Sequence, residues 1–160
     1  MTIFIIDNPI TTACVLDMKR LNKQIIECSW MINMKAGKTK ESNHPAYLMY
    51  KDHIEWVKLY QKCLNEYKKY RLNNDNKEAI NKALKYSLEA DKIKPKFLCK
   101  DLYVNFCKRL YEKDPICYKN FEKYKDVFEK EANYYYVNDN WIKYLNGKKE
   151  IDYNFGHILA

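Results

Sequence analysis

Long apolar runs are missing from this chain of 160 residues. No stretch approaches the ~20 consecutive apolar residues that cross a bilayer, so the sequence predicts no membrane helix. The apolar start, residues 1–6, is too short and too weakly charged for a secretory signal. With 47% hydrophobic and 31% charged residues, the composition is typical of a globular, soluble chain and not of a disordered one. We therefore expect an intracellular protein.

Metal-binding and disulfide patterns are also missing. The six cysteines form no CxxC pair, and no histidine stands near them at the spacing of metal ligands. Free cysteine in a helix behaves as a small hydrophobic residue, and thiols stay reduced inside cells. The sequence therefore predicts buried free thiols, with no metal and no cofactor.

Arginine is scarce. Only 3 of the 29 basic residues are Arg (Arg20, Arg71 and Arg109), and the rest are Lys. The net charge of +8 favours an anionic partner, most often nucleic acid. Because lysine has AT-rich codons, a protein–protein interaction role with incidental positive charge stays open. Arg binds phosphate better than Lys, which singles out Arg20.

The periodicity of apolar residues predicts one all-α domain over residues 1–160, without repeats or low-complexity linkers. Capping residues and Gly37 suggest where the helices begin and end. Thr11 or Thr12 is the expected first cap, Asn43 or Ser42 the second, and Asp75 the third. About five helices are predicted, over residues 11–36, 45–71, 77–90, 98–112 and 116–132. Residues 3–6 are predicted as a short strand or extended arm, and residues 134–160 as an irregular aromatic tail.

The first predicted helix contains the most informative stretch, residues 16–27 (LDMKRLNKQIIE). Its expected buried stripe is formed by Cys14, Met18, Leu21, Ile25, Cys28 and Ile32. On the other face, Arg20, Lys23 and Glu27 follow at steps of three and four, with Gln24 beside them. One acid among bases suits a site for a phosphate-bearing substrate. An ordinary solvated helix looks the same, and periodicity does not separate the two.

Four motifs in order carry a family resemblance. Residues 16–27 read L-D-x-K-R-L-x-K-Q-x-x-E, residues 43–46 read N-H-P-A, residues 95–98 read P-x-F-L, and residues 113–118 read K-D-P-x-x-Y. In these motifs, over about residues 1–136, the chain resembles the pyrimidine-dimer DNA glycosylase (endonuclease V-like) superfamily, and is most similar to its bacterial and phage members. The resemblance implies a virus- or phage-like DNA repair enzyme.

The resemblance also implies a mechanism and a partner, double-stranded DNA. In the phage enzymes the α-amine of the residue after the initiator Met attacks the sugar, and a helix-borne glutamate stands beside it. Thr2 and Glu27 match these positions. An α-amine titrates near 7.7–8.0, so much of it is unprotonated at neutral pH. The implied activity is a glycosylase with an abasic-site lyase step. The implied DNA-binding residues are Arg20, Lys23, Gln24, Lys38, Lys40, Asn43 and His44.

Other readings of these residues stay open. Glu27 could be a surface acid paired with Lys23, and His44 could simply order the start of a helix. Two positions depart from the phage enzymes: Ile26 and Trp30 stand where those enzymes have basic residues. This departure puts dimer recognition in question. A non-catalytic basic DNA-binding protein of the same fold is the main alternative function.

Overall fold

A computed structural model of the chain describes residues 3–130, 133–137, 140–145 and 148–153. The chain divides into two compact units, residues 1–95 and 96–160. The first contains α1 (Pro9–Val15), α2 (Met18–Lys35), α3 (Pro45–Tyr50), α4 (Ile54–Leu72) and α5 (Lys77–Lys92). The second contains α6 (Lys100–Lys113), α7 (Lys125–Lys130), β1 (Asn133–Val137), β2 (Asn140–Leu145) and β3 (Lys148–Tyr153). The prediction of a helical fold is confirmed. The single domain over residues 1–160 stays a prediction, because two compact units of a chain can belong to one folding domain.

Residues 3–6, here called the N-terminal arm, form no strand. Three of their side chains are buried: Ile3, Phe4 and Ile5. The backbone N–H of Phe4 donates to Gln24 Oε1 (2.9 Å), and that of Ile6 donates to Thr12 Oγ1 (2.8 Å). The strand alternative is wrong, because these backbone groups bond to side chains of helices instead of to a second strand.

The first helix begins earlier than predicted. Asn8 is its cap, with Oδ1 accepting from the N–H of Thr11 (2.8 Å), and Pro9 takes the first helical position. Asp7 adopts a φ of 64°, a left-handed conformation that Asp tolerates better than most residues. Thr12, predicted as a cap, lies inside the helix and donates its hydroxyl to the carbonyl of Asn8 (2.8 Å).

The single first helix of the prediction is in fact two, α1 and α2. Leu16 and Asp17 between them have extended backbone, with ψ angles of 137° and 160°. Arg71, from α4, donates Nη1 to the carbonyls of Leu16 (2.6 Å) and Ala13 (3.2 Å). The last carbonyls of a helix have no intrahelical partner, so Arg71 stabilises the end of α1.

Replacing Arg71 with Ala should lower the free energy of unfolding by about 2–3 kcal/mol, because two carbonyls lose a charged donor. Urea denaturation followed by circular dichroism measures the change. Lys69→Ala is the control, since Lys69 makes only an exposed pair with Glu66 (2.9 Å). It should cost less than ~0.5 kcal/mol. Equal losses for the two variants would show that Arg71 acts only as a surface charge.

The remaining boundaries of the first unit are close to those predicted. The chain leaves α2 at Gly37, whose φ of 77° suits a residue without a Cβ. A 3₁₀ turn, Lys51–His53, divides the predicted second helix into α3 and α4. The cap of α5 is Asn76 and not Asp75, with Oδ1 accepting from Ala79 (3.1 Å). Helix α4 is central and packs against α1, α2 and α5.

In the second unit, α6 is close to the prediction but the fifth helix is not. Asp114 accepts the N–H of Cys117 on its side chain and that of Tyr118 on its backbone, both at 3.0 Å. This turn leads into a 3₁₀ segment, Lys119–Tyr124, so regular helix begins only at α7. Cys117 therefore lies in a turn and not in a helix.

The predicted irregular tail is wrong for the strands β1 to β3. They form one antiparallel sheet in the order β1-β2-β3, with a register shift between Trp141 and Lys143. The segment is rich in aromatic and β-branched residues, which favour strands, although it lacks a clear alternation. The end of the tail, residues 154–160, lies outside the described residues. In the part of the chain that is described, no helix is long and apolar enough to cross a bilayer.

Candidate active site

Gln24 and Glu27 lie on the buried side of α2, each only 1% exposed. The sequence placed both on an open basic face beside Arg20 and Lys23, and for these two residues that prediction is wrong. Lys23 and Glu27 are four residues apart in one helix, as predicted, but Lys23 is exposed whereas Glu27 is buried. The N-terminal arm explains the difference, because it binds Gln24 and periodicity within α2 carries no information about it.

The side-chain amide of Gln24 connects the N-terminal arm to the carboxylate. Its Oε1 accepts from the N–H of Phe4 (2.9 Å) and from the hydroxyl of Tyr60 (3.3 Å). Its Nε2 donates to Glu27 Oε2 over a long 3.5 Å. Gln24 is therefore a structural bridge between residue 4 and Glu27, while its implied role as a DNA contact stays a prediction.

Tyr60 of α4 completes this network from the other side. Its hydroxyl donates to the carbonyl of Phe4 at 2.6 Å. Burial raises the pKa of Tyr60 well above its ordinary value, and nearby acidic groups including Glu27 add to the rise. The hydroxyl therefore stays protonated and remains a donor. Both backbone groups of Phe4 are thus satisfied by side chains from different helices, and this fixes the arm next to Glu27.

Tyr60 also belongs to a stack of three aromatic rings. Trp56 lies parallel to Tyr60 with centroids 5.0 Å apart, and to Tyr50 on its other side at 5.5 Å. All three rings are buried. What the sequence reading missed is the polar role of Tyr60. A buried Tyr usually needs a hydrogen-bond partner, which was the available signal.

His44 lies at the start of α3 and is exposed. It is the helix cap, in place of the predicted Asn43 or Ser42: Nδ1 accepts from the N–H of Ala46 (3.1 Å). Partial burial lowers the pKa of His44, the charge of the amino terminus lowers it further, and Glu27 raises it. The imidazole is accordingly neutral near pH 7, with its proton on Nε2. The negative charge of Glu27 acts on the His44 imidazole, so these two side chains interact electrostatically.

The remaining predicted site residues differ in exposure and in hydrogen-bond partners. Arg20 donates to Asp17 Oδ1 at 3.1 Å, next to the start of its own helix. Lys23, Lys38, Lys40 and Asn43 are exposed. Thr2, the predicted nucleophile, lies outside the described residues. With His44, five of the seven predicted DNA contacts are thus exposed.

A cleft of about 420 Å³ lies elsewhere in the first unit. It is bounded mainly by the turn between α3 and α4, with Trp56 at its wall, and contains none of the predicted site residues. Large cavities often mark binding sites. Here, however, the polar network around Glu27 has the more definite chemistry, because a carboxylate, an amide and a phenol converge on the arm.

All six cysteines are free thiols, and the predicted burial is wrong for Cys14 and Cys117. Cys28, Cys63 and Cys99 are buried, whereas Cys14 and Cys117 are exposed. Burial raises the pKa of Cys63 to about 12 and that of Cys107 to about 11, so these two are weak nucleophiles. Among the described residues, no three His, Cys, Asp or Glu side chains converge as metal ligands.

The family model for pyrimidine dimer DNA glycosylase matches residues 1–81 of the chain. This match spans the N-terminal arm, the network around Glu27 and most of the first unit. No curated protein and no solved structure matched the chain. The chain belongs to the pyrimidine dimer DNA glycosylase family. At the level of the family it is therefore a DNA repair glycosylase with a DNA substrate.

Proposed function

We propose that the protein excises damaged pyrimidines, such as pyrimidine dimers, from double-stranded DNA through an amine nucleophile and Glu27, with a following lyase step at the abasic site. The observation that supports this most directly is the bridge made by Gln24. It fixes Phe4, two residues after Thr2, at one end and contacts Glu27 at the other. Thr2, the proposed nucleophile, precedes Phe4 by two residues of chain, which span at most ~7 Å.

In this mechanism the α-amine of Thr2 attacks C1′ of the damaged nucleotide. The glycosidic bond breaks and its electron pair leaves with the base, which takes up a proton, while the attached amine loses one proton. The C1′–O4′ bond of the sugar ring then breaks, O4′ takes up a proton, and the nitrogen lone pair forms a protonated imine linkage to C1′. Positive charge develops on the sugar during this step, and the Glu27 carboxylate stabilises it. The same carboxylate can then accept the C2′ proton, which lets the 3′ phosphate leave by β-elimination.

DNA binding is assigned to the exposed cations near this network. Lys23 lies one helical turn before Glu27, and Lys38 with Lys40 follows the end of α2. They contact phosphates as point charges. His44 contributes a neutral N–H, since its pKa is lowered. Arg20 is the weaker candidate, because Asp17 already accepts from its guanidinium.

The burial of Glu27 sets a condition on the proposal. A carboxylate that is 1% exposed cannot meet a nucleotide unless the site opens. Removal of Met1 creates the free amine of Thr2 that the mechanism needs. The small side chain of Thr2 permits this processing.

Borohydride trapping on an ultraviolet-irradiated duplex and on an abasic duplex tests the proposed function. We expect cleavage of a glycosidic bond at the pyrimidine dimers of the first duplex and a covalent protein–DNA adduct on both. Undamaged duplex is the control and should give neither product. The proposal fails if neither damaged duplex yields product although both bind.

The burial of Glu27 favours a second candidate, a non-catalytic DNA-binding protein of the same family. Such a protein keeps the exposed lysines but never admits a nucleotide to the carboxylate. It would bind duplex DNA with an affinity that falls steeply with salt, and would form no adduct. The trapping experiment therefore separates the two functions.

A further inference from the structure

Four side chains form one exposed stripe along α2, which we call the α2 stripe. They are Lys19, Lys23, Ile26 and Trp30, at successive steps of four, three and four residues. This spacing places them on neighbouring turns of a single helix surface. The two lysines are exposed, and Ile26 and Trp30 are each 51% exposed.

The α2 stripe borders Glu27 directly. Glu27 comes four residues after Lys23 and three residues before Trp30, so both are its neighbours on the helix surface. The opposite face of the helix is covered: Leu21, Cys28 and Met31 are fully buried, and α4 packs on α2. The exposed apolar pair therefore lies beside Glu27 on the helix, and about half of each side chain is left uncovered by the described residues.

We propose that Trp30, supported by Ile26, is an apolar wedge that stacks against a base next to the damaged nucleotide. This inference rests on the proposed function. An enzyme that acts on a duplex must unstack its target, and apolar side chains commonly fill or prop open such gaps. Stacking on an aromatic ring is available to every base, because each base has a π face.

Charge complementarity identifies DNA as the occupant of this apolar surface. Lys19 and Lys23 extend from one end of the Ile26–Trp30 pair, and Lys35, Lys38 and Lys40 follow beyond the other end, all exposed. Cations on both sides of an exposed aromatic ring match a phosphate backbone with a base between the phosphates. Trp30 thereby determines specificity for unstacked sites, while the lysines supply affinity for any duplex.

The test compares binding to two duplexes of one sequence, undamaged and carrying a single tetrahydrofuran abasic analogue. Trp30→Ala should weaken binding to the abasic duplex by about 5- to 100-fold, the range of a base–aromatic stack. Binding to the undamaged duplex should change less than about twofold, and the slope of log K against log salt should stay the same. Trp30→Phe should recover most of the loss.

Lys23→Ala and Leu88→Ala are the controls. Lys23→Ala should weaken both duplexes equally and lower the salt slope by about one. Leu88 is 65% exposed on α5, and its replacement should change neither. Equal weakening of both duplexes by Trp30→Ala, or no recovery with Phe, overturns the wedge. So does a change of oligomeric mass in sedimentation, since that would make Trp30 an interface between copies of the chain.

The two proposals fail in different ways. If wild type forms the borohydride adduct but Trp30→Ala keeps full discrimination, only the wedge is wrong. Suppose instead that the wild-type protein forms no adduct, but Trp30→Ala removes the preference for the abasic duplex that the wild type shows. In that case the wedge is supported and the catalytic function is wrong.

Discussion

Glu27→Gln should lower the single-turnover rate of glycosidic bond cleavage at the dimer in a dimer-containing duplex by about 10²–10⁴-fold, with the melting temperature little changed. The amide has the shape of the carboxylate but no charge to stabilise the developing cation on the sugar. Gln24 and the packing around α2 stay in place. Rapid quench on an excess of enzyme isolates the chemical step from DNA binding and product release.

Glu55→Gln is the matched control for this substitution. It removes one negative charge from the same unit, but Glu55 lies on α4 with an exposed side chain that pairs with Lys58 (3.0 Å). Its rate should remain within about twofold of wild type, because an exposed pair contributes little. Full activity in Glu27→Gln would exclude Glu27 from the mechanism. An equal loss of rate in both variants would show that Glu27 acts only through the net charge of the protein.

The face of α2 shows what helix periodicity can and cannot predict. The steps from Lys23 to Glu27 and from Ile26 to Trp30 are properties of any α-helix, and they hold. Which side is covered depends on partners distant in sequence. The N-terminal arm binds Gln24, 20 residues away, and both Gln24 and Glu27 are buried. Nothing in residues 16–27 encodes it.

Helix breaks were missed for a related reason. The apolar pattern runs through Leu16 and Asp17 without interruption, yet the helix ends there because Arg71 of α4 binds the terminal carbonyls. A donor 55 residues away from Leu16 is invisible to a local pattern. Gly37, by contrast, ends α2 as predicted, because the left-handed conformation it adopts is a local property of glycine.

The family resemblance predicted the class of protein better than the geometry of its site. The motif over residues 16–27 led to the family that the match over residues 1–81 shows. The same motif suggested an open acidic-basic face, which is wrong for Glu27. Motifs record which residues are present, while burial is decided by what folds over them, here the arm and Tyr60.

A chain that begins at Thr2 should form the borohydride adduct on an abasic duplex. A chain with one more residue before Thr2, either Met1 or another amino acid, should lose at least about 100-fold in adduct yield. The reason is that an imine requires an amine positioned beside Glu27, and the fixed position of Phe4 limits how far the chain start can move. Mass spectrometry identifies which start each sample has, and peptide mapping of the adduct identifies the attached amine.

The pH dependence of the same reaction distinguishes an α-amine from a lysine. Adduct yield should rise with pH, reach half its maximum near pH 8 and level off near about pH 9, because an α-amine titrates near 7.7–8.0. With a lysine as nucleophile, half of the maximum would be reached only above about pH 10. Lys23→Ala is the control, since it removes the exposed amine one turn from Glu27 while leaving the chain start intact. Three results together would make Lys23 of α2 the nucleophile in place of the chain start. The adduct would still form with the extra residue, its yield would keep rising above pH 9, and it would disappear in Lys23→Ala.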